Sequence, residues 1–431
     1  MPIGWGNTPW GPVGGLYDTL SSPNSRDTVT LPLAEGVILT VNGGSSSLKF
    51  ALFQEADPPV PVTRGMIDRI GLPDSVLVVN DATAQRLERQ TVNVPDYSAC
   101  VGVLIDWLEC QIDMKRLRAV GHRVVHGGMM YSRPEPVTPR MLEELRRISP
   151  YDPEHMPSEI SVIEAFSRRY PTLPQIACFD TAFHRGMPRV ASLLPIPRRY
   201  EKLGLQRYGF HGLSYAFLMR ELSRIGKPGE ANGRVILAHL GNGASMTAVK
   251  DGKSIETTMG FTPASGMPMS RRSGDLDPGL VSYLVRTEGM TVEQFHRMAN
   301  SESGLLGVSE ISSDMRDLLK EEGNDLRAAE AVALFCYQAK KTIGSLAAAL
   351  GGLDTLVFSA GIGEHVPVIR ARICDGLGFL GIAVDRVRNE ANAPVISKEG
   401  TSVTVRVIHT DEEREIAESV VRLLGINPPV K

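Results

Sequence analysis

The sequence predicts an α/β protein built from two related domains facing a shared cleft. Three observations point there: a strand-turn-strand pattern that occurs twice, 198 positions apart; β-rich apolar runs that alternate with helical patterns; and a length of 431 residues, more than one ordinary core accommodates.

The first pattern opens with Val37-Ile-Leu-Thr-Val41, turns through Asn42-Gly-Gly-Ser-Ser-Ser47 and resumes as the alternating run Leu48-Lys-Phe-Ala-Leu-Phe53. The second opens with Val235-Ile-Leu-Ala-His-Leu240, turns at Gly241-Asn-Gly-Ala-Ser245 and continues through Met246-Thr-Ala-Val249. At this spacing Val37, Ile38, Leu39, Gly43 and Ser47 fall on Val235, Ile236, Leu237, Gly241 and Ser245, which reads as an internal duplication. A third strand, Thr355-Leu-Val-Phe-Ser359, runs into a glycine turn, Ala360-Gly-Ile-Gly-Glu364, of the kind that lets a phosphate or nucleoside approach the backbone. The longest helical pattern begins near Asp325, carries Leu326, Ala329, Val332, Ala333, Cys336 and Ile343, and stops at Gly351-Gly352. Glu412 to Leu424 reads as an amphipathic helix that packs back on the first domain. The predicted layout is a flexible extension over 1–35, a first domain over 36–182 plus 413–431, and a second domain over 183–412.

Hydrophobic residues make up 42% of the chain and charged residues 22%, the balance of a globular enzyme rather than a disordered or fibrous chain. A net charge of -3 gives no electrostatic reason to expect nucleic acid or an anionic membrane as partner. The five cysteines, Cys100, Cys110, Cys178, Cys336 and Cys374, are odd in number and form no CxxC pair. They argue against a disulfide framework or a zinc site and for a reducing, cytoplasmic location. The longest apolar stretch, around Ile343 to Ile362, is interrupted by Gly351, Gly352, Asp354 and Gly361, so it reads as a helix end, a turn and a buried strand, not a membrane span. Residues 1–35 hold Trp5 and Trp10 and no charge before Asp18, unlike a signal peptide.

Chemistry concentrates in the turns. Asn42 to Lys49 offers backbone N–H groups, hydroxyls, an amide and a lysine together, a cradle for a polyanion. Glycine and serine are also ordinary turn residues, and a tight hairpin with solvated serines fits the same segment. Gly361-Ile-Gly363 resembles half of a dinucleotide fingerprint, but the third glycine is missing and the unit comes late in the chain, which argues against a dehydrogenase.

Taken together, the segments resemble the acetate kinase family from about residue 37 to 424. Asn42-Gly-Gly-Ser-Ser-Ser-Leu-Lys49 is similar to the family's first signature and Met259-Gly-Phe-Thr-Pro-Ala-Ser-Gly-Met-Pro-Met-Ser-Arg-Arg-Ser-Gly-Asp275 to its second. Six further segments match in order: Gly121-His-Arg-Val-Val-His-Gly-Gly128, Cys178-Phe-Asp-Thr-Ala-Phe-His184, Arg207-Tyr-Gly-Phe-His-Gly212, Ser303-Gly-Leu-Leu-Gly-Val308, Ser312-Ser-Asp-Met-Arg-Asp317 and Ala360-Gly-Ile-Gly-Glu364.

The resemblance implies two duplicated RNase H-like domains of the actin, sugar kinase and heat-shock chaperone superfamily around a central cleft, with the second domain binding nucleotide, in a homodimer. It implies Mg²⁺-dependent transfer of a phosphoryl group between ATP and acetate, with Mn²⁺ as a substitute metal. Carried over by motif, Arg123 and Arg272 are the two active-site arginines, His211 stabilises the transferring group, Asp180 is the catalytic aspartate, and Asn42 positions phosphates and metal water. Guanidinium groups suit a metaphosphate-like state, whose charge lies on equatorial oxygens. Arg123 and His155 would bind the carboxylate, with Val125, Phe210 and Pro263 around its apolar end. Lys49, His239, Gly241, Asn242 and Gly243 would hold phosphates. Asp314, Arg316 and the turn Gly361, Ile362, Gly363, Glu364 would approach adenosine and ribose. Asn42 and Glu412 would serve the metal, with Glu413 as a neighbour that spacing does not separate from Glu412. No general base is needed, because a carboxylate is already an anion at neutral pH.

The chain departs from the family pattern at Glu154, where a leucine usually walls the acyl pocket, and at Met156, Arg271, Glu310 and His365. The competing readings are a kinase of the same fold that uses propionate, butyrate or pyrophosphate, and a catalytically idle nucleotide-binding protein.

Overall fold

The computed structural model of the protein describes residues 36–44, 46–82 and 87–425; the extension expected over 1–35 lies outside the described residues. Its chain divides into two compact units. Unit 1 takes the described residues up to Val124, then Pro134–Cys178 and the residues from Glu413 onward; unit 2 takes Val125–Arg133 and Phe179–Glu412.

In unit 1 the strands are β1 (Val37–Gly43), β2 (Ser47–Gln54), β3 (Val60–Asp68), β4 (Val76–Asp81), β5 (Leu87–Thr91), β6 (Leu117–Val124), β7 (Glu135–Pro136) and β8 (Gln175–Phe179), in the sheet order β5-β4-β3-β2-β1-β6-β8-β7. β1 is antiparallel to β2 and parallel to β6. A strand paired on both sides and covered on both faces has no solvent face, which is why Val37 to Val41 is an unbroken apolar run rather than an alternating one. Two helices, Tyr97–Gln111 and Met156–Arg169, bury Val101, Leu104, Leu108, Val162 and Phe166 in one core with Leu39, Val41, Phe50 and Leu52. Asp96 caps the first of them by accepting from the Ala99 N–H at 2.8 Å. The C-terminal helix, Glu412–Leu424, lies against β6 at Gly121, where a Cβ would come within 2.4 Å of Ile416 Cγ2 and 2.9 Å of Val420 Cγ2.

In unit 2 the strands are β9 (Arg234–Leu240), β10 (Ala244–Lys250), β11 (Lys253–Thr257), β12 (Thr355–Ser359) and β13 (Thr404–Val407), in the order β11-β10-β9-β12-β13. β9 repeats the setting of β1: antiparallel to the strand that follows it and parallel to a later one. The longest helix, Leu326–Leu350, is capped by Asp325 and ends at Gly351 in the left-handed region (φ 71). Each unit is thus a mixed sheet with flanking helices, the duplicated arrangement expected.

Two expectations need correction. The gapless spacing of 198 holds on β1 and β9 and fails on the strands that follow. Val37 pairs with Gln54, whereas its counterpart Val235 pairs with Val249, three residues short of the 252 that the spacing requires. The tighter turn after β9 shifts the register, so the match of Ser47 with Ser245 is not a structural equivalence. Gly361 to Gly363 do not form an open turn: they sit in a short helix, Ala360–His365, that starts directly from β12 with Ala360 at φ 62.

Buried histidines mark each unit. His122 Nε2 accepts from the Gln175 amide at 2.7 Å, and burial pushes its pKa down to about 4 from an ordinary 6.5. His184 donates from Nε2 to the Phe210 carbonyl at 3.0 Å and is pushed down, again to about 4 and mainly by burial. The unfolded chain takes up these protons below pH 6.5 and the folded chain only below about 4, so stability falls with pH across that window. Going from pH 7 to pH 5 should cost about 2 kcal/mol per histidine, read as a fall in the urea midpoint. A midpoint flat over that range would refute the neutral, buried state of both rings. Among the described residues no helix is long and apolar enough to cross a membrane.

Candidate active site

The predicted site residues fall into two sets, each assembled by its own unit. In unit 1, Asn42 and Lys49 are register partners across β1 and β2, and Arg123 comes from the adjacent β6. Arg123 Nη1 donates to Asn42 Oδ1 at 3.3 Å and to the Gly43 carbonyl at 3.4 Å, and the buried Glu159 carboxylate lies 3.7 Å from the same nitrogen. Glu159 stands four residues after His155, which precedes the helix Met156–Arg169. His155 Nδ1 is 2.9 Å from Asp152 Oδ1, and its backbone N–H donates to that oxygen at 3.2 Å, so the ring is held from one side. Lys49, Asn42, Arg123 and His155 are thus tied to neighbouring strands or to the helix start. Glu154, by contrast, is exposed to water. The turn between β1 and β2 is braced by the Tyr97 hydroxyl, whose single proton lies between the carbonyls of Gly44 (2.5 Å) and Ser47 (2.8 Å).

Sequence reasoning missed Asp152, Glu159 and Tyr97. Glu159 carried a signal, since an acid four residues after a histidine at a helix start lies on the same face. Tyr97 carried none, being some fifty residues from the turn it holds.

In unit 2, His211 takes φ 58, directly before the helix Gly212–Ile225. Gly212 cannot carry a side chain, because a Cβ would fall 2.0 Å from the Asp180 carbonyl oxygen. Its N–H donates to that carbonyl at 2.9 Å, which pins the buried Asp180 beside His211. The next residue, Thr181, accepts from the Gly127 N–H at 3.1 Å. Val125 and Phe210 are both buried, and the His126 ring lies edge-on 4.3 Å from Tyr208 and 5.6 Å from Phe210.

The glycine turn Gly241–Gly243 gathers the remaining charged groups. A Cβ on Gly243 would lie 3.1 Å from His211 Nε2 and 3.8 Å from Arg272 Nη1, so ring and guanidinium flank the same backbone. The segment before Arg272 is fastened to that turn: the Ser270 N–H donates to the Asn242 carbonyl at 3.2 Å and the Ser270 hydroxyl to Asn242 Oδ1 at 3.3 Å. Gly304, at φ 61, permits the close return of the chain, since a Cβ there would meet the carbonyl oxygens of Met269 at 2.1 Å and Arg272 at 2.7 Å. Arg272 Nη1 donates to the Pro263 carbonyl at 3.4 Å. His239, near the end of β9, stacks on His211 with ring centroids 4.2 Å apart.

Asp314 and Arg316 engage each other at 2.5 Å at the start of the helix Met315–Glu321, in polar contacts local to that turn. Glu364 is an internal brace. Its Oε1 accepts from the N–H groups of Ala360 (2.6 Å) and Thr410 (3.2 Å), and Oε2 meets His409 Nδ1 at 2.7 Å. Burial pushes the Glu364 pKa up, but the His409 bond and the backbone donors outweigh it and leave the carboxyl below its usual range. What Gly361 to Gly363 offer a ligand is therefore backbone. Glu412 begins the C-terminal helix half-buried, while Glu413 is held by Arg64 at 3.7 Å, a difference that spacing could not reveal.

Residues 37–418 match the Acetokinase family. The chain is 44% identical over 392 residues to an acetate kinase of Rhodopseudomonas palustris, covering 90% of this chain and 98% of that one. It is 42% identical over 400 residues to a propionate kinase of Citrobacter rodentium, covering 91% and 98%. The crystal structure of Porphyromonas gingivalis acetate kinase superposes with a TM-score of 0.82 at 34% identity, over 90% of this chain and 100% of that one. With the glycine turn flanked by His211 and Arg272 in one unit and Arg123 held against Asn42 in the other, this chain belongs to the acetokinase family and is a phosphotransferase.

Proposed function

We propose that the enzyme transfers the γ-phosphoryl group of ATP reversibly and in line to acetate, giving acetyl phosphate and ADP. The observation that supports this best is the approach of His211 Nε2 and Arg272 Nη1 to Gly243. A ring nitrogen, a guanidinium and backbone N–H groups in one small region can neutralise the charge of a loose phosphoryl transition state without covalent help. In this reading Gly241, Asn242 and Gly243, with Lys49 and His239, hold phosphates; Arg272 and His211 meet the transferring group. Arg123, fixed by Asn42 and Glu159, orients the acyl carboxylate, with His155 beside it. Val125, Phe210 and Pro263 favour a small apolar acyl group, and the exposure of Glu154 keeps its charge in water. Asp180 completes the catalytic set. Asp314, Arg316 and the backbone of Gly361 to Gly363 serve the nucleoside.

Magnesium takes oxygen ligands and retains waters, so one or two protein oxygens beside ATP phosphates are enough. The Asn42 amide and the Glu412 carboxylate are hard oxygen donors, and among the described residues no cluster of three or more His, Cys, Asp or Glu offers a competing cage. The donor set fits. When bound, Mg²⁺ (or Mn²⁺) supplies charge neutralisation on the phosphates. The protein works as a homodimer in the cytoplasm, a location in keeping with five cysteines that are all free thiols.

The test is acyl phosphate formation from Mg-ATP and acetate, trapped with hydroxylamine, with propionate, butyrate and pyrophosphate in parallel. Acetate turnover exceeding the others is expected. The relative from C. rodentium is called a propionate kinase, so a propionate preference is the second reading, and turnover with that acid ahead of acetate would select it. ATP binding without any turnover would overturn both in favour of an idle nucleotide-binding protein.

A further inference from the structure

His211 Nδ1 lies 2.8 Å from Ser245 Oγ, and the Tyr215 hydroxyl is in turn hydrogen-bonded to the same oxygen. Ser245 and Tyr215 are both completely buried. Ser245 comes from β10, and Tyr215 stands four residues after His211, so the helix that follows the histidine carries the far end of the chain of bonds. Neither the family motifs nor the proposed roles include these two residues.

Counting protons fixes the direction of the chain. Tyr215 has one hydroxyl proton, and Ser245 Oγ is its hydrogen-bond partner among the described residues. Burial pushes the Tyr215 pKa well above its ordinary value, so the phenol keeps that proton. If Ser245 donated to Tyr215, the phenolic proton would be stranded in the interior, at a cost of about 1–3 kcal/mol. Tyr215 therefore donates to Ser245, and Ser245 must send its own proton onward to His211 Nδ1. An imidazole that accepts at Nδ1 carries its hydrogen on Nε2. Nε2 is the nitrogen 3.1 Å from a Cβ built on Gly243, on the side of the glycine turn and Arg272.

We propose that Ser245 and Tyr215 are positioning residues that hold His211 as the Nε2–H tautomer, so that it presents a hydrogen-bond donor, not a lone pair, to the phosphoryl group being transferred. The opposite tautomer would turn a lone pair toward an anion. The proposal rests on the assignment of His211 to the phosphoryl group given above, whereas the tautomer itself does not depend on turnover.

The experiment combines two readouts on the full-length enzyme. In the first, ¹⁵N-histidine labelling with long-range ¹H–¹⁵N correlation reports the His211 tautomer, with His211→Gln identifying the signal. In the second, steady-state kinetics are measured for wild type, Tyr215→Phe and Ser245→Ala with Mg-ATP and acetate. The wild type should show the Nε2–H pattern. Tyr215→Phe keeps the ring and should mix the tautomers and lower kcat about tenfold, with KM for ATP and acetate little changed, the equivalent of one hydrogen bond. Ser245→Ala should act in the same direction and more strongly. An Nδ1–H pattern in the wild type, or both variants keeping tautomer and kcat, would overturn the proposal. A wild type that shows the Nε2–H pattern but makes no acetyl phosphate would uphold the positioning and remove the kinase reading, so the two failures are distinguishable.

Discussion

Replacing Arg272 with alanine is expected to lower kcat for acetyl phosphate formation by about 10³- to 10⁵-fold, the range for removing an arginine that stabilises a phosphoryl transition state. That corresponds to about 4–7 kcal/mol, well above the ~1 kcal/mol of an ordinary hydrogen bond. Such an excess is expected of a guanidinium that acts where charge develops, in a preorganised setting. The variant should remain folded. The backbone around residue 272 is held by Ser270 on Asn242 and by the close approach at Gly304, contacts that the substitution leaves in place. KM for ATP should change only severalfold, since the glycine turn and the nucleoside groups remain. Lysine at 272 should recover little, because a point charge does not reproduce the planar fork. A loss of less than tenfold in the hydroxamate assay would remove Arg272 from the transition state.

The second large effect concerns a residue that no motif pointed to. Arg370 is fully buried, and its guanidinium donates to the carbonyls of Gly363 (2.8 Å), Glu364 (2.9 Å) and Asn389 (2.8 Å) and to the side-chain oxygens of Asn389 (2.8 Å) and Asn392 (2.6 Å). Burial pulls its pKa down to about 10, which still leaves it charged at neutral pH. The short helix Ala360–His365 ends in carbonyls that have no partner within the helix, and Arg370 supplies donors for two of them. Arg370→Met keeps the volume and leaves those oxygens buried without donors. Unit 2 should lose about 3–5 kcal/mol, read as a lower urea midpoint. KM for ATP should rise as well, because the glycines between β12 and Arg370 lose their anchor. A change in midpoint worth under about 1 kcal/mol would mean that water replaces the guanidinium, against the cost of buried unpaired acceptors.

Much of the fold was legible because it depends on local patterns. The unbroken apolar run at Val37 and its repeat at Val235 mark central strands, Asp325 and Gly351 mark the ends of the longest helix, and each feature acts within a few residues of itself. Motif resemblance also singled out Arg123, Asp180, His211 and Arg272 as candidates, because short glycine-flanked segments mark places where backbone must pass closely, as Gly212 does over Asp180.

What the sequence by itself determined, then, is the family, the duplicated α/β architecture and the identity of the charged groups. The tertiary structure alone decided how those groups are held. Arg123 acquires Glu159 from a helix thirty-six residues away in the chain, His211 acquires Ser245 from a strand, and Glu364 turns inward to Thr410 and His409. The hairpin after β9 likewise slipped three residues against its counterpart although five identities suggested a gapless repeat. The physical reason is common to all four. Pairing register and hydrogen-bond partners depend on which distant segments pack together and on where buried polar groups find donors and acceptors, and neither constraint leaves a local trace in residue order.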